Sequence, residues 1–340
     1  MLRTDRVVDE LNGALHTLFA DDPTLFLLGE DVLDPYGGAF KVTAGLSTKF
    51  PDRVISTPIS ESGIVGVANG LALTGNRAIV EIMFGDFAAL CFDQILNVSA
   101  KSVSMYGRRL DVPIVVRCPV GGNRGYGPTH SQSLQKHFIG IPDLVLHELS
   151  PLHDTQAVLR RVLDDGRPCM FFEPKPVYGE RSLTPGPIDD LFGYDFADRD
   201  GNWARVSSED GAGTILLITG GGMVSRALEA AETLLLEDET DVTVMVCSQL
   251  YPFVPEPILG DAARAEHVLV VEEGTPGGTW GAEVARSLAD ACWDRLRHPV
   301  GSISSRDTII PAARHLERRV VVQTQDIVDG VRGRVTACTR

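Results

Sequence analysis

The sequence predicts an α/β protein of two domains, each built on a parallel sheet. Three observations carry that prediction: a length of 340 residues, an alternation of short apolar runs with amphipathic stretches, and the return of that alternation after an interruption. A chain of this length exceeds what one hydrophobic core usually organises, so two domains are the natural expectation. Hydrophobic content of 44% and charged content of 23% are those of a globular protein.

The elements follow in order. Val7, Val8, Leu11, Leu15, Leu18 and Phe19 fall at helical spacing, with Thr4 or Asp5 as N-cap. Then come "TLFLLG" (24–29), "RAIVEI" (77–82), "VPIVVRC" (112–118), "LVLHEL" (144–149) and "CMFFEP" (169–174). Such short, nearly continuous apolar runs read as strands buried on both faces, as in a parallel sheet. Helical stretches lie between them at 61–75, 86–106 and 153–164. Residues 1–175 make the first domain. Residues 176–212 are rich in Pro, Gly and Asp and weakly periodic, and read as a linker. Alternation resumes over 213–340, with strands "TILLIT" (214–219), "VTVMVCSQL" (242–250) and "HVLVVEE" (267–273) and helices near 223–236 and 281–297. This is the second, smaller domain.

Charge and cysteines exclude several classes. The chain carries 31 Lys plus Arg against 46 Asp plus Glu, a formal charge of −15, and has no basic run. Nucleic acid is therefore not an expected partner. The six cysteines are widely spaced, have no CxxC pair and mostly sit beside apolar residues, as buried reduced thiols do. The N-terminus is amphipathic and contains acids, unlike a signal peptide, and no apolar run reaches the roughly 20 residues of a membrane span. The expectation is a cytoplasmic protein with no membrane association.

Of the common catalytic signatures, there is no phosphate-binding G-x-x-x-x-G-K-[ST], no H-E-x-x-H and no G-x-S-x-G. "TILLITGGGMVS" has the outline of a dinucleotide-binding turn. Its spacing from Gly220 is G-x-G-x-x-S, however, and no acidic ribose ligand follows at the required distance. Two places hold more promise. In "STPISESGIVGVANGLALTG" (56–75), Glu61 is the single charge at the mouth of an apolar, glycine-rich helix. A helix dipole alone favours an acid there, but burial would also tune such a carboxyl for proton sharing. In "RCPVGGNRGYGPTHSQS" (117–133), a glycine-rich loop leaves a strand end and reaches His130, where α/β proteins bind ligands.

Stretches 27–82, 86–107, 127–133 ("GPTHSQS") and 168–179 ("PCMFFEPKPVYG"), with "VVEEGTPGGTWGAEVA" at 270–285 downstream, resemble one family. It is the beta subunit of the thiamin-diphosphate-dependent decarboxylase component of 2-oxoacid dehydrogenases, of the pyruvate, branched-chain and acetoin types. The resemblance spans residues 5–330. It implies a transketolase-like pyrimidine-binding domain followed by a smaller transketolase C-terminal-like domain. It also implies oxidative decarboxylation of a 2-oxoacid with acyl transfer to lipoamide. In the resemblance, Glu61 faces the aminopyrimidine ring and protonates a ring nitrogen, so that the imino group removes the thiazolium proton. Phe87 stacks on the pyrimidine, and Ile59 lines its pocket through the backbone. His130 handles the acyl intermediate and its transfer to a lipoyl arm, and Glu30 relays protons near the cofactor. A potassium ion is also implied, by position at the main-chain carbonyls of Val112, Ile114, Val115 and Asp165.

The G-D-G followed some 25 to 30 residues later by Asn, which holds magnesium and the diphosphate in this class, is absent from the sequence. The resemblance therefore implies that an alpha subunit supplies that half, in an α2β2 heterotetramer associated with a lipoyl-bearing acyltransferase core. Departures occur at "SQLYPFVPEP" and in the C-terminal "RRVVVQTQDIVDGVRGRV", regions that serve beta–beta contacts and core anchoring. Non-oxidative carboligation by a split transketolase-like synthase, a silent scaffold subunit and a nicotinamide dehydrogenase using the GGG turn remain as alternatives.

Overall fold

In the computed structural model, residues 6–208 and 213–338 are described. The capping role expected of Thr4 or Asp5 and the last residues of the expected linker lie outside them. Strands β1 (Leu25–Gly29), β2 (Val54–Ser56), β3 (Arg77–Glu81), β4 (Ile114–Val120), β5 (Val145–Glu148) and β6 (Cys169–Pro174) form the first sheet. All pair in parallel in the order β5-β6-β4-β3-β1-β2. Central β4 is buried along its whole length, which is why it reads as an unbroken apolar run.

Helices Val7–Asp21 and Thr155–Asp165 pack together on one face of this sheet. Helix Glu61–Leu73 and the segment 85–102 cover the other. The helix expected over 86–106 is broken into a 3₁₀ turn Gly85–Cys91, a π-helical turn Gln94–Ser99 and one α turn Ala100–Ser102. Ser99 Oγ donates to Asn69 Oδ1 at 2.7 Å and to Gln94 O at 3.1 Å. The bond to Asn69 ties the irregular segment to helix Glu61–Leu73, a tertiary demand that local periodicity does not reveal.

The second sheet contains β7 (Gly186–Pro187), β8 (Phe192–Phe196), β9 (Trp203–Ser208), β10 (Ile215–Thr219), β11 (Val242–Cys247), β13 (His267–Val271) and β14 (Gly301–Ile303). The order is β14-β13-β10-β11-β9-β8-β7, parallel from β14 to β11 and antiparallel beyond. The stretch expected to be a linker thus supplies three strands, which extend the parallel part of the second sheet, β14 to β11, with antiparallel pairs. Phe192, Tyr194, Trp203 and Val206 turn inward along β8 and β9. The Asp- and Gly-rich turn between those strands dilutes their alternation in the sequence.

The domains share structure rather than a hinge. Strand β12 (Gln249–Tyr251), from the second half of the chain, pairs antiparallel with β5 of the first sheet. One apolar core runs from Phe172 and Met170 through Leu250 to Trp203, Leu216 and Trp280. At this junction the Glu148 carboxylate accepts from Gly222 N–H at 2.6 Å and from Gln135 Nε2 at 2.8 Å. No helix among the described residues is long and apolar enough to cross a membrane. Cys91, Cys118, Cys169, Cys247 and Cys292 are buried and free.

Burial pushes the Glu148 carboxyl up to about 7, with the charges of Glu273 and Glu272 adding to the rise and the two hydrogen bonds opposing it. A carboxyl whose folded pKa is raised holds its proton in the native state after the unfolded chain has released it. Its contribution to stability therefore grows as pH falls from above 7 toward 4.5, by up to about 3 kcal/mol. Glu148→Gln should be more stable than wild type at pH 8, with that advantage vanishing near pH 5. Urea midpoints at both pH values check this, and a constant difference would refute it.

Candidate active site

The carboxyl ends of β1, β3, β4 and β6 meet along one edge of the first sheet, where loops collect and ligands bind in α/β proteins. Glu30 follows β1 directly. After β2 the chain turns through Thr57 and Pro58 and enters helix Glu61–Leu73, with Ser60 at the N-cap and Glu61 as the first helical residue. Glu61 is 6% exposed, and Glu30 is buried beside it. Burial raises the Glu30 pKa, and the charges of Glu61 and Asp31 raise it further, against a hydrogen bond from Ser60 N–H. Glu30 Oε1 is buried and accepts no hydrogen bond within the chain. A pair of adjacent buried carboxyls, one of them pushed toward its protonated form, is equipped to share and pass protons.

Past β3, the 3₁₀ turn Gly85–Cys91 carries Phe87. A Cβ at Gly85 would sit 2.4 Å from Val120 Cγ1, so glycine alone lets this turn lie against β4. The same turn packs on helix Glu61–Leu73, and the Glu61 charge is felt at Cys91. Opposite lies His130, whose ring stands edge-on to Phe84 at 4.7 Å and to Phe87 at 5.2 Å between centroids. Its Nδ1 is 3.0 Å from Thr129 Oγ1. Phe84 also meets Phe40 and Tyr126 edge-on at 5.9 Å, making it the hub of an aromatic wall.

The structure therefore brings Glu61, Glu30, Phe87 and His130 to one edge of one sheet. The Ile59 side chain stands 83% exposed beside Glu61 and has no packing role within this chain. Val67, Leu73 and Leu90 are exposed on the same helix and on the turn packed against it. Sequence reasoning missed Phe84, although "FGDF" places two aromatics around the turn. It also missed Lys175, which is fully buried, has no hydrogen-bond partner for Nζ and sits 5.8 Å over the Phe84 ring. Burial pulls its ammonium down to about 8, against the charges of Glu273 and Asp86.

The residues named for a cation lie together, since Val112 N–H donates to Gly166 O at 2.7 Å, next to Asp165. The Asp165 carboxylate is paired with Arg167, and Val112 O accepts from Ile114 N–H at 2.8 Å. Val115 is paired in register with both neighbouring strands. What these residues offer an ion is the second lone pair of each carbonyl. Among the described residues, no group of three or more His, Cys, Asp or Glu side chains is placed to hold a metal ion.

The GGG turn is closed to a dinucleotide. A Cβ on Gly221 would lie 2.0 Å from Leu149 O, and one on Gly220 would lie 2.8 Å from Glu148 Oε1. The glycines admit the first domain's backbone, and Glu148 occupies the amide that a phosphate would need.

Residues 7–180 match the family description "Transketolase, pyrimidine binding domain", and residues 204–327 match "Transketolase, C-terminal domain". The beta-1 subunit of the mitochondrial pyruvate dehydrogenase E1 component of Oryza sativa subsp. japonica is 33% identical, over 98% of this chain and 87% of the relative. The chain belongs to the beta-subunit family of thiamin-diphosphate-dependent 2-oxoacid dehydrogenases. The beta subunit of the acetoin:2,6-dichlorophenolindophenol oxidoreductase of Cupriavidus necator is 32% identical over 95% of both chains. The pyruvate dehydrogenase E1 beta subunit of Rickettsia felis is 31% identical over 96% of this chain and 97% of its own. A solved structure titled "Split gene transketolase, inactive beta4 tetramer" superimposes with a TM-score of 0.70 over 97% of this chain and 98% of its own, at 19% identity. That likeness bears on the fold. Members of this beta-subunit family are oxidoreductase components and work with an alpha subunit. Their cofactor is thiamin diphosphate, and the Glu61–Glu30 pair beside an aromatic wall fits the aminopyrimidine end of that group.

Proposed function

We propose that this chain is the beta half of an enzyme that oxidatively decarboxylates a 2-oxoacid and passes the acyl group to lipoamide. The observation that carries the reading is Glu61, buried at a helix mouth beside Glu30, on an edge whose neighbouring apolar side chains Ile59, Val67 and Leu90 are uncovered. Exposed apolar surface around a polar site marks a face made for another chain. Thiamin diphosphate, when bound, supplies the carbanion chemistry at the keto carbon. Glu61 holds a proton at the pyrimidine nitrogen, Glu30 exchanges it, and the Ile59 main chain and the Phe87 ring orient the pyrimidine. His130 donates and accepts protons at the acyl group during its transfer.

The alpha subunit completes the site in this reading, binding the diphosphate and Mg2+ in an α2β2 heterotetramer, which in turn serves a lipoyl-bearing acyltransferase core. The sequence's lack of a magnesium-binding G-D-G with a downstream Asn supports that division. A structural potassium ion at the carbonyls of Val112, Ile114, Val115 and Asp165 belongs to the same proposal.

The test is to isolate the tagged chain from its own cell and assay decarboxylation over a panel of 2-oxoacids, with and without lipoamide. An alpha subunit should co-purify, and acyl transfer to lipoamide should depend on added thiamin diphosphate and Mg2+. Decarboxylation without transfer to lipoamide would replace this reading with carboligation. A beta chain that is active and cofactor-loaded alone would overturn the shared site.

A further inference from the structure

The loop that carries His130, residues 121–133, leaves the end of β4 and closes on itself, with Gly121 N–H donating to Gln132 O at 3.1 Å. Just inside that closure, one oxygen of the second domain binds both feet of the loop. Glu273 Oε1 accepts from Gly122 N–H at 2.7 Å and from Ser133 Oγ at 3.2 Å. The other oxygen of Glu273 pairs with Arg226 at 3.2 Å, which fixes the carboxylate. Higher on the loop, Gly125 N–H donates to Glu317 Oε2 at 2.9 Å. Glu317 is fully buried, in the short helix Arg314–Glu317.

Packing follows the same path. A Cβ on Gly122 would lie 3.1 Å from Val321 Cγ1, and one on Gly125 would lie 3.2 Å from Arg314 Cγ and 3.3 Å from Ala312 O. Left-handed backbone at Gly121, Asn123, Gly125 and Gly127 turns the loop so that the two amides face the carboxylates. A glycine-rich loop of this length has many alternative shapes, and bonds at its base and shoulder remove most of them.

We propose that Glu273 and Glu317 are positioning residues for His130, so that the second domain sets where the first domain's histidine stands against Phe84 and Phe87. The catalytic consequence rests on the reading of His130 as the acyl-transfer residue, whereas the clasp itself does not. Glu273 controls the spread of the loop's feet and Glu317 the tilt of its shoulder. An N–H bonded to a carboxylate is among the stronger hydrogen bonds, so the loss of either should open the loop roughly tenfold or more.

The test uses the full-length chain. Hydrogen exchange of peptides covering 121–133, and the rate of His130 carbethoxylation by diethyl pyrocarbonate, are followed by mass spectrometry. Glu317→Ala and Glu273→Ala should raise both rates roughly tenfold. Glu317→Gln should restore them toward wild type, because an amide oxygen still accepts from Gly125. If Glu317→Ala fails to fold, Glu273→Ala carries the test, since Glu273 is only partly buried. Wild-type exchange and wild-type His130 reactivity in a folded Ala variant would overturn the clasp. In enzyme assembled with its alpha subunit, the Ala variants should lose transfer to lipoamide while keeping decarboxylation to an artificial acceptor. Equal loss of both reactions would mark a merely structural role and overturn the positioning. His130→Ala separates the two ideas: unchanged transfer in that variant would remove the reading of His130 and leave the clasp standing on the exchange data.

Discussion

Glu61→Gln should abolish nearly all turnover, lowering it by roughly 10²–10⁴-fold, while the variant folds and still assembles with its partner. The substitution keeps the size of the side chain and its place on the first turn of helix Glu61–Leu73, where the amide oxygen can still be solvated by the helix N-terminus. What it removes is the exchangeable carboxyl proton. It also removes the charge that contributes to the raised pKa of Glu30, so the Glu30 carboxyl should fall back toward its ordinary range. The two effects are separable. Steady-state turnover reports the first, and chemical-shift titration of a Glu30 carboxyl label in the full chain reports the second. Turnover within tenfold of wild type would mean that Glu61 serves only the helix dipole. An unchanged Glu30 titration would mean that the two carboxyls are not coupled. Cofactor affinity should weaken less than turnover, because Phe87 and the backbone near Ile59 do not depend on the proton.

What was legible in the sequence follows from what each interaction requires. Strands β1, β3, β4, β5 and β6 were found because burial on both faces writes itself as a run of Val, Ile, Leu and Phe. Strand β2 was not: it is three residues long, with Ile55 and Ser56 exposed at the sheet edge, so it has neither length nor pattern. Strands β7, β8 and β9 hid because half-buried antiparallel strands separated by "ADRDGN" look like a solvated connection. Glu61 and His130 could be singled out because an isolated charge in an apolar helix and a histidine in a glycine loop are locally odd. Glu273 and Glu317 could not. Their partners are main-chain amides about 150 and 190 residues away along the chain, and an amide donor leaves no mark in a sequence. Lys175 was passed over for a related reason, since "EPKP" looks like a strand leaving for solvent. In the fold that lysine ends over the Phe84 ring, fully buried.

Beneath the site lies the interaction whose loss should most reduce stability. Arg117 on β4 donates Nε and Nη2 to the two oxygens of Glu173 on β6 at 2.6 and 2.8 Å, and Nη1 to Glu81 on β3 at 3.0 Å. All three side chains are buried, and Tyr178 Oη also donates to Glu173. Burial works against charge on Arg117, but Glu173 and Glu81 outweigh it, and its pKa lies above the ordinary value. For Glu81 burial prevails over the Arg117 charge, and its pKa is raised. Arg117→Met would leave two carboxyls facing each other in a dry core, and removing one partner of such a group destabilises by about 3–5 kcal/mol. The sign with pH follows from the same physics. Without the guanidinium the Glu81 carboxyl, already raised by burial, loses the charge that opposes that rise and should move further above its unfolded value. Protonation of Glu81 as pH falls then restores stability, so the deficit should be largest above pH 7 and smaller near pH 5. Thermal midpoints of wild type and variant across that range check it, and a deficit independent of pH would mean that lost packing, not exposed charge, is responsible. The consequence reaches the chemistry, because Glu81 is paired in register with Gly29, the residue before Glu30, and also accepts from Ala39 N–H. The ion network therefore holds the floor on which the Glu30–Glu61 pair stands. Arg117→Met should accordingly shift the Glu30 titration even under conditions where the chain remains folded.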